Sequence, residues 1–319
     1  MGNAMKTIMV SGGSGLLGGN CLMMLKGGCR VVGLYHTHKV ELPGVEMWSV
    51  DLRDFAAVAA MIDKMRPDVF IHCAALTDVD YCEAHPQEAM QMNADVVGGI
   101  AGLARQHDLR FVHISTDAVY DALHGDSSEV APVSPVNVYA STKLAGEQAA
   151  LSENPGSLII RACIYGWNAR NKLSFSETIL KALLLGEKIT LFHDVFFSPI
   201  LVNDLVEAVF GLLLGGRSGI YNVGASQGIS KFAFGKMIAE ISGLSPDPIC
   251  SISLTEKKLT AARPRNPVMN VAKVQGALQR PMPTVEQGLA RFMGLLDGGY
   301  VNNIKPGVGT LSDLREAWQ

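Results

Sequence analysis

Short apolar runs alternate with helix-length amphipathic stretches through the first half of the chain, and no other feature limits its fold as strongly. The runs fall at 7–10, 30–34, 47–50, 69–72, 110–114 and 158–161. Apolar residues recur at helical spacing over 55–65, 86–106 and 138–151, each stretch long enough to carry the chain across one face of a sheet. Strand alternating with helix means a parallel sheet, and right-handed crossovers make it doubly wound. Past about 166 the pattern loosens, Pro and Gly become frequent, and helix-like stretches stand at 173–185 and 204–214. The expected fold is α/β, a doubly wound parallel sheet with a smaller second lobe. Its expected boundaries are 1–165 for the sheet domain, rejoined by about 195–225, and 166–297 for most of the lobe. At 298–319 a tail is expected, a linker leading to a short helix capped by Ser312.

At 319 residues the chain has room for one large domain or two modest ones, given roughly 150 residues per domain. Its 48% apolar share is too high for a disordered chain, and its 18% charged share interrupts it too often for a membrane protein. With 27 basic against 30 acidic residues, a net charge of -3 and no long run of like charge, it lacks the footprint of a nucleic-acid or anionic-membrane binder. The apolar stretch at 179–185 is broken by Lys181 and falls far short of the roughly 20 residues that span a bilayer, so a cytoplasmic protein is expected. The start, Met1-Gly2-Asn3-Ala4-Met5-Lys6, has no signal-peptide core, and residues 1–4 read as a vector leader ahead of Met5. The 6 cysteines include no C-x-x-C pair, which points to reduced thiols rather than disulfides or zinc, with Cys73 a small buried hydrophobe. No metal-ligand spacing is found: His36 and His38 stand on a loop, and Asp78, Asp80 and Glu83 read as a solvated turn.

Directly after the first run comes Ser11-Gly12-Gly13-Ser14-Gly15-Leu16-Leu17-Gly18-Gly19, a G-x-x-G-x-x-G pattern between strand and helix. Such glycines allow a tight turn, close backbone approach to a pyrophosphate and close helix packing, with the helix amides and dipole turned to the anion. A dinucleotide is the expected ligand, held at Gly12, Ser14, Gly15, Leu16, Leu17 and Gly18. The end of the second run decides which one, because an acidic residue there accepts the ribose 2′-hydroxyl of NAD. This chain instead has Leu34-Tyr35-His36-Thr37-His38-Lys39. Tyr35, His36, His38 and Lys39 offer donors and positive charge for a 2′-phosphate, so NADP(H) is expected over NAD(H). Asp51 and Leu52, after the third run, are placed to meet an adenine edge; a helix N-cap role for Asp51 or Asp54 is the alternative.

The fifth run ends in Ser115-Thr116-Asp117, and Tyr139-Ala140-Ser141-Thr142-Lys143 follows on the helix at 138–151. Tyr139 and Lys143 are four apart and share one face. A phenol with a pKa of about 10 is a poor acid at neutral pH, and a neighbouring ammonium is expected to bring it down. Thr116, at the carboxyl edge of its strand, is placed to hydrogen-bond a reacting carbonyl oxygen. Thr116, Tyr139 and Lys143 are therefore the expected catalytic group.

With these motifs in this order, the chain resembles the extended short-chain dehydrogenase/reductase superfamily over nearly its whole length. His72-Cys73-Ala74-Ala75-Leu76-Thr77-Asp78-Val79-Asp80, Asn93-Ala94, Ser115-Thr116-Asp117-Ala118-Val119-Tyr120, Pro135-Val136-Asn137-Val138-Tyr139, Lys143-Leu144-Ala145-Gly146-Glu147 and Arg263-Pro264-Arg265-Asn266 resemble the dTDP-4-dehydrorhamnose reductases. That resemblance implies a Rossmann-type NADP-binding domain, a C-terminal substrate-binding lobe, and reduction of a dTDP-linked 4-keto-6-deoxy sugar by NADPH. It implies that Lys143 also holds the nicotinamide ribose and that Cys73, Ala74, Ala75, Asn93 and Ser115 lie along the cofactor. Thr77, Val79, Thr116, Asp117 and Arg263 would meet the nucleotide sugar. It also implies a homodimer packed through 86–106 and 138–151.

The chain departs from this pattern in places. Ala118-Val119-Tyr120-Asp121-Ala122 stands where the family carries Tyr-Val-Phe-Asp-Gly, which leaves the sugar open. Ala140 replaces the glycine after the tyrosine, and Asn266-Pro267 replaces Asn-Ser. Ala118 also stands where dehydratases of the superfamily place Glu, so dehydration is not expected. A 4-epimerase uses the same Tyr and Lys and stays open. So does a non-catalytic NADP-binding subunit similar to the beta subunit of methionine adenosyltransferase.

Overall fold

Strands rich in buried apolar residues, alternating with helices, produce the expected layers. In the computed structural model, which describes residues 7–120, 124–170 and 172–319, the chain begins β1 (Thr7–Ser11), α1 (Leu16–Leu25), β2 (Arg30–Tyr35), β3 (Glu46–Ser49), α2 (Phe55–Met65) and β4 (Val69–His72). It continues α3 (Val79–Ala84), α4 (Pro86–Met90), α5 (Val96–Gln106), β5 (Arg110–Thr116), α6 (Val138–Glu153) and β6 (Leu158–Tyr165). Then come α7 (Phe175–Leu185), β7 (Ile189–Phe192), β8 (Phe196–Phe197), β9 (Pro199–Leu201), α8 (Val202–Leu214) and β10 (Gly219–Asn222). The last elements are β11 (Ile229–Ser230), α9 (Lys231–Ser242), β12 (Ile249–Ile252), α10 (Ala272–Leu278), α11 (Val285–Asp297), α12 (Tyr300–Ile304) and α13 (Leu311–Trp318). The leader at 1–4 and the Asp121-Ala122 departure lie outside the described residues.

The main sheet is ordered β3-β2-β1-β4-β5-β6-β10, with β9 beside the end of β6, and every pairing in it is parallel. β1 and β4 are buried along their whole length because helices cover both faces. Ile8 and Val10 pack into the core cluster that also holds Leu22 of α1 and Leu205 of α8; Met9, between them, turns to the cluster holding Val58 of α2 and Ile100 of α5. Strand order reverses between β1 and β4, and the crevice over their carboxyl ends is where open α/β sheets bind ligands. After β7 and β8, the chain returns to the sheet through β9, α8 and β10. The pairs β7–β12 and β8–β11 stand apart from it.

Two expectations change. The helix expected at 86–106 is interrupted: α4 ends, a π-turn at Gln91–Asp95 follows, and α5 begins after it. The widened turn lodges Asn93 fully inside the protein, which unbroken α-helical spacing did not predict. The tail is not a linker, since Val301, Ile304, Val308 and Leu314 are buried. Its last helix is capped by Thr310, whose hydroxyl accepts from Asp313 N at 3.2 Å while Asp313 accepts from Thr310 N at 2.8 Å; Ser312 lies inside the helix.

Candidate active site

A cleft of about 850 Å³ runs over the carboxyl ends of the central strands. Its floor at one end is backbone. Gly12 has φ of 65°, and a Cβ there would lie 2.8 Å from the Ala74 nitrogen. A Cβ on Gly18 would lie 2.2 Å from the Gly12 carbonyl oxygen. Gly15 N donates to Gly12 O at 2.8 Å and closes the turn, and Gly13 N donates to Leu34 O at 2.8 Å and pins it to β2. Ser14, Gly15, Leu16 and Leu17 complete this wall. The N-cap Gly15 makes no side-chain cap bond and the first turn of α1 holds no acid, so helix-end amides are left for an anion. These features fit the pyrophosphate of a dinucleotide.

Beyond the loop, Tyr35, His36, His38, Asp51 and Leu52 line the cleft, joined by Arg53. Arg53 Nη2 lies 2.6 Å from Asp51 Oδ2, and this bond pulls the Asp51 carboxyl down to about 2. The cap of α2 is Asp54, which accepts from Ala57 N at 2.9 Å. Lys39 is not on the lining; its ammonium faces Glu41 at 3.5 Å in solvent. Arg53 belongs to no motif, so only its charge beside the histidine loop marks it in the sequence.

Cys73, Ala74, Ala75, Leu76, Thr77 and Val79 form the next stretch of wall. A hydrogen bond with Cys21 and burial push the Cys73 thiol well up, so it stays protonated. Asn93 does not reach the cleft. Its Oδ1 accepts from Leu76 N at 2.9 Å, and its Nδ2 donates to Leu76 O at 3.0 Å and to Thr142 Oγ1 at 3.1 Å. It clamps the wall onto α6 instead of meeting a cofactor.

The chemical end gathers Thr116, Tyr139 and Lys143 on the same lining, with Ser115 and Asp117 beside them. Asn137 caps α6 by accepting from Ala140 N at 2.8 Å, and Glu83 accepts from Val138 N at 3.0 Å, so Tyr139 is fixed in the first turn. Thr116 Oγ1 accepts from Ala118 N at 3.2 Å and donates to Asp117 Oδ1 at 3.1 Å. Lys143 Nζ donates to Ile114 O at 2.7 Å and lies 3.3 Å from His113 Nε2, which leaves one of its three donors free. Burial brings Lys143 down to about 8, with Glu147 opposing. Burial pushes the Tyr139 phenol up, opposed by a hydrogen bond with Thr116. The expected lowering of the phenol by Lys143 is therefore not found, because the ammonium is held on the β5 backbone and desolvation dominates. A phenol kept protonated is a proton donor.

Asp117 is pushed up to about 6 by burial, against the Thr116 hydrogen bond and the charge of Lys231. Beneath the site, Ser115 Oγ donates to Glu147 Oε1 at 2.5 Å, and Arg161 Nη2 meets Glu147 Oε2 at 2.6 Å. Arg161 also donates to the Tyr120 hydroxyl at 3.0 Å, and that hydroxyl donates to Asn222 Oδ1 at 2.6 Å. This chain ties β5, α6, β6 and β10 together. Removing one member of such a buried pair costs about 3–5 kcal/mol, because the other charge is left uncompensated.

On the lobe side Arg263 lines the cleft, with its guanidinium engaged by Asp80 Oδ2 at 2.9 Å and Ala261 O at 2.8 Å. Asp78 caps α3 through Tyr81 N at 3.0 Å. The three acids expected as a solvated turn are thus a cap, an arginine partner and an anchor for α6. Lys231, Arg170, Lys172 and Cys163 also line the cleft and were not foreseen, since no motif marks the lobe. Among the described residues no group of His, Cys, Asp or Glu is placed to hold a metal ion, and no helix is long and apolar enough to cross a membrane.

A crevice fitted to a dinucleotide at the switch point of the sheet, meeting a hydroxyl, a phenol and an ammonium at its far end, is the arrangement of an extended short-chain dehydrogenase/reductase. The chain belongs to the RmlD substrate binding domain family, which matches residues 5–297. It is 32% identical to the Probable low-salt glycan biosynthesis reductase Agl14 of Haloferax volcanii over 88% of this chain and 95% of the relative. A crystal structure of a hypothetical dTDP-4-dehydrorhamnose reductase from Sulfolobus tokodaii superposes with a TM-score of 0.77 at 33% identity, covering 88% of this chain and 97% of that one. The dTDP-4-dehydrorhamnose reductase of Bacillus anthracis, solved in complex with NADP, superposes with a TM-score of 0.78 at 25% identity, covering 90% and 98%.

Proposed function

We propose that the chain reduces a nucleotide-linked 4-keto-6-deoxy sugar with NADPH, dTDP-4-dehydrorhamnose being the first substrate to test. The observation that carries this reading is that Thr116, Tyr139 and Lys143 share one cleft with the glycine loop. The relatives named as reductases of this sugar, one of them solved with NADP, support it. His36, His38 and Arg53 beside the adenine end favour a 2′-phosphate.

Bound along the glycine loop, reduced nicotinamide supplies the hydride. The chain supplies the proton and the geometry. The buried Tyr139 hydroxyl donates to the oxygen of the ketone as it becomes an alkoxide, which is a far stronger base than a phenolate. Thr116 Oγ1, at the end of β5, holds that oxygen beside the phenol. Lys143, fixed from below by Ile114 O, has one donor left with which to hold the nicotinamide ribose. Ala118 and Ile114 add apolar surface to the same lining.

The test is NADPH and NADH oxidation with dTDP-4-dehydrorhamnose, followed by nicotinamide absorbance beside Tyr139→Phe. Turnover with NADPH that the variant loses is the expected result. Cofactor binding without oxidation would turn the reading toward a 4-epimerase or a non-catalytic subunit. The same reading makes the protein a cytoplasmic homodimer packed through α4, α5 and α6, and light scattering of the purified chain checks the dimer.

A further inference from the structure

The family match stops at residue 297, yet the segment after it is packed onto the elements behind the cleft wall. The Tyr300 hydroxyl donates to Asn20 Oδ1 of α1 at 2.8 Å, and Asn20 Nδ2 donates to Trp167 O at 2.9 Å. Arg315 donates to Leu184 O at the end of α7 at 2.7 Å. Between these anchors Lys305 Nζ lies 3.1 Å from Glu177 Oε1 and 3.2 Å from Arg170 O.

Glu177 is fully buried in the first turn of α7. Its other oxygen accepts from Ser174 N at 2.8 Å and Asn168 N at 3.3 Å. Asn168 Oδ1 accepts from Arg170 N at 3.2 Å, and its Nδ2 donates to Lys172 O at 2.8 Å. Asn168, Arg170, Lys172 and Ser174 all line the cleft. One buried carboxylate therefore shapes a stretch of the wall, and a lysine from the tail is the cation beside it. A carboxylate without a cation in such a place takes up a proton, and its hydrogen bonds to amides weaken. Burial does push Glu177 up, and the charge of Lys305 leads what opposes it, ahead of the hydrogen bond from Ser174 N.

We infer that Lys305 is a positioning residue: through Glu177 it sets the wall carrying Arg170 and Lys172, and those two cations take the diphosphate of a bound nucleotide. The inference rests on the reading of the cleft as a nucleotide site. A dinucleotide and a nucleotide sugar both carry a diphosphate, so the two must be probed apart.

The test titrates full-length protein calorimetrically with NADPH and, separately, with dTDP, neither of which requires turnover. Lys305→Met is expected to weaken at least one of the two about tenfold, while Lys305→Arg binds within about twofold of wild type. Lys305→Met with Glu177→Gln, which removes the stranded charge, is expected to recover most of the loss. Weakening confined to NADPH assigns the wall to the dinucleotide, and weakening confined to dTDP assigns it to the nucleotide sugar; both support the inference. Arg170→Ala with Lys172→Ala leaves the tail untouched and is expected to show the same loss, so the idea stays testable if Lys305→Met fails to fold. Unchanged affinity for both ligands in either variant would overturn it. A wild-type protein that binds neither ligand would sink the nucleotide-site reading itself, a different failure.

Discussion

The two ends of the cleft are made of different materials. At the cofactor end the walls are backbone, where Gly12 and Gly18 leave no room for a side chain, and the charges are open to water. The side chains of His36 and Arg53 there are 56% and 44% exposed. At the chemical end Lys143 is 2% exposed, Asp117 5% and the Glu147–Arg161 pair 2% and 3%. Amide dipoles bind a phosphate without titrating, so the first end works by shape. At the second end desolvation moves each buried group away from its charged form, raising Tyr139 and Asp117 and lowering Lys143. Steric change should therefore act on affinity at one end, and charge removal on turnover at the other.

The sharpest break is Tyr139→Phe. Loss of a positioned proton donor lowers kcat by about 10²–10⁴-fold, while the affinity for NADPH stays within about twofold. A variant with weakened NADPH binding and preserved kcat would erase the distinction between the ends. Next comes Gly18→Ala, whose Cβ would lie 2.2 Å from the Gly12 carbonyl oxygen. Overpacking of this kind costs about 1–3 kcal/mol, and the strain falls on the loop that meets the pyrophosphate, so NADPH binding weakens at least about tenfold. Calorimetry reads the affinity, and kcat at saturating cofactor is expected to stay near wild type.

Lys143 sharpens the comparison through pH. Its folded pKa of about 8 lies below its ordinary 10.5, so the unfolded chain holds the proton more tightly between those values. This group therefore adds stability as pH rises from about 8 toward 10.5 and contributes no slope below that window. Activity moves the other way, falling about tenfold per pH unit once the ammonium is lost. Denaturant melts at the two ends of the window, set beside the pH profile of turnover, are expected to diverge. Lys143→Met should lose both the rise in stability and the alkaline fall. A wild-type melt that weakens across the window would remove desolvation as the cause.

How far these ends could be read beforehand follows from the same difference. The glycine loop and the Thr116, Tyr139 and Lys143 set were legible because each sits at a fixed place on a strand end or helix turn. That β1 to β6 run parallel follows from the alternation of apolar runs with helix-length stretches, while their order does not. Asn93 was misplaced because a π-turn changes which way a side chain points without changing composition. The lobe wall was not legible, since Lys231, Arg170 and Lys172 come from connections whose path is set by tertiary packing. The lowered phenol expected of Tyr139 failed for a related reason. Spacing tells which groups share a helix face, while burial and the competing Ile114 carbonyl decide what the shared charge does.

The smallest effect belongs to the most exposed charge. Arg53 is already shared with Asp51 at 2.6 Å, and it stands in solvent at the adenine end. Exposed ion pairs are weak and salt-sensitive, so Arg53→Ala should weaken NADPH only about two- to fivefold. NADH, which lacks the 2′-phosphate, should bind the variant at least as well as it binds the wild type. Released from Arg53, the Asp51 carboxylate also becomes free to accept the ribose 2′-hydroxyl, which tips the ratio further toward NADH. Titration of both cofactors at low and high salt separates the contributions. The NADPH loss should shrink as salt rises, because a screened arginine has less to lose. Equal loss of both cofactors would place Arg53 against the adenine or the pyrophosphate and leave His36 and His38 as the phosphate donors.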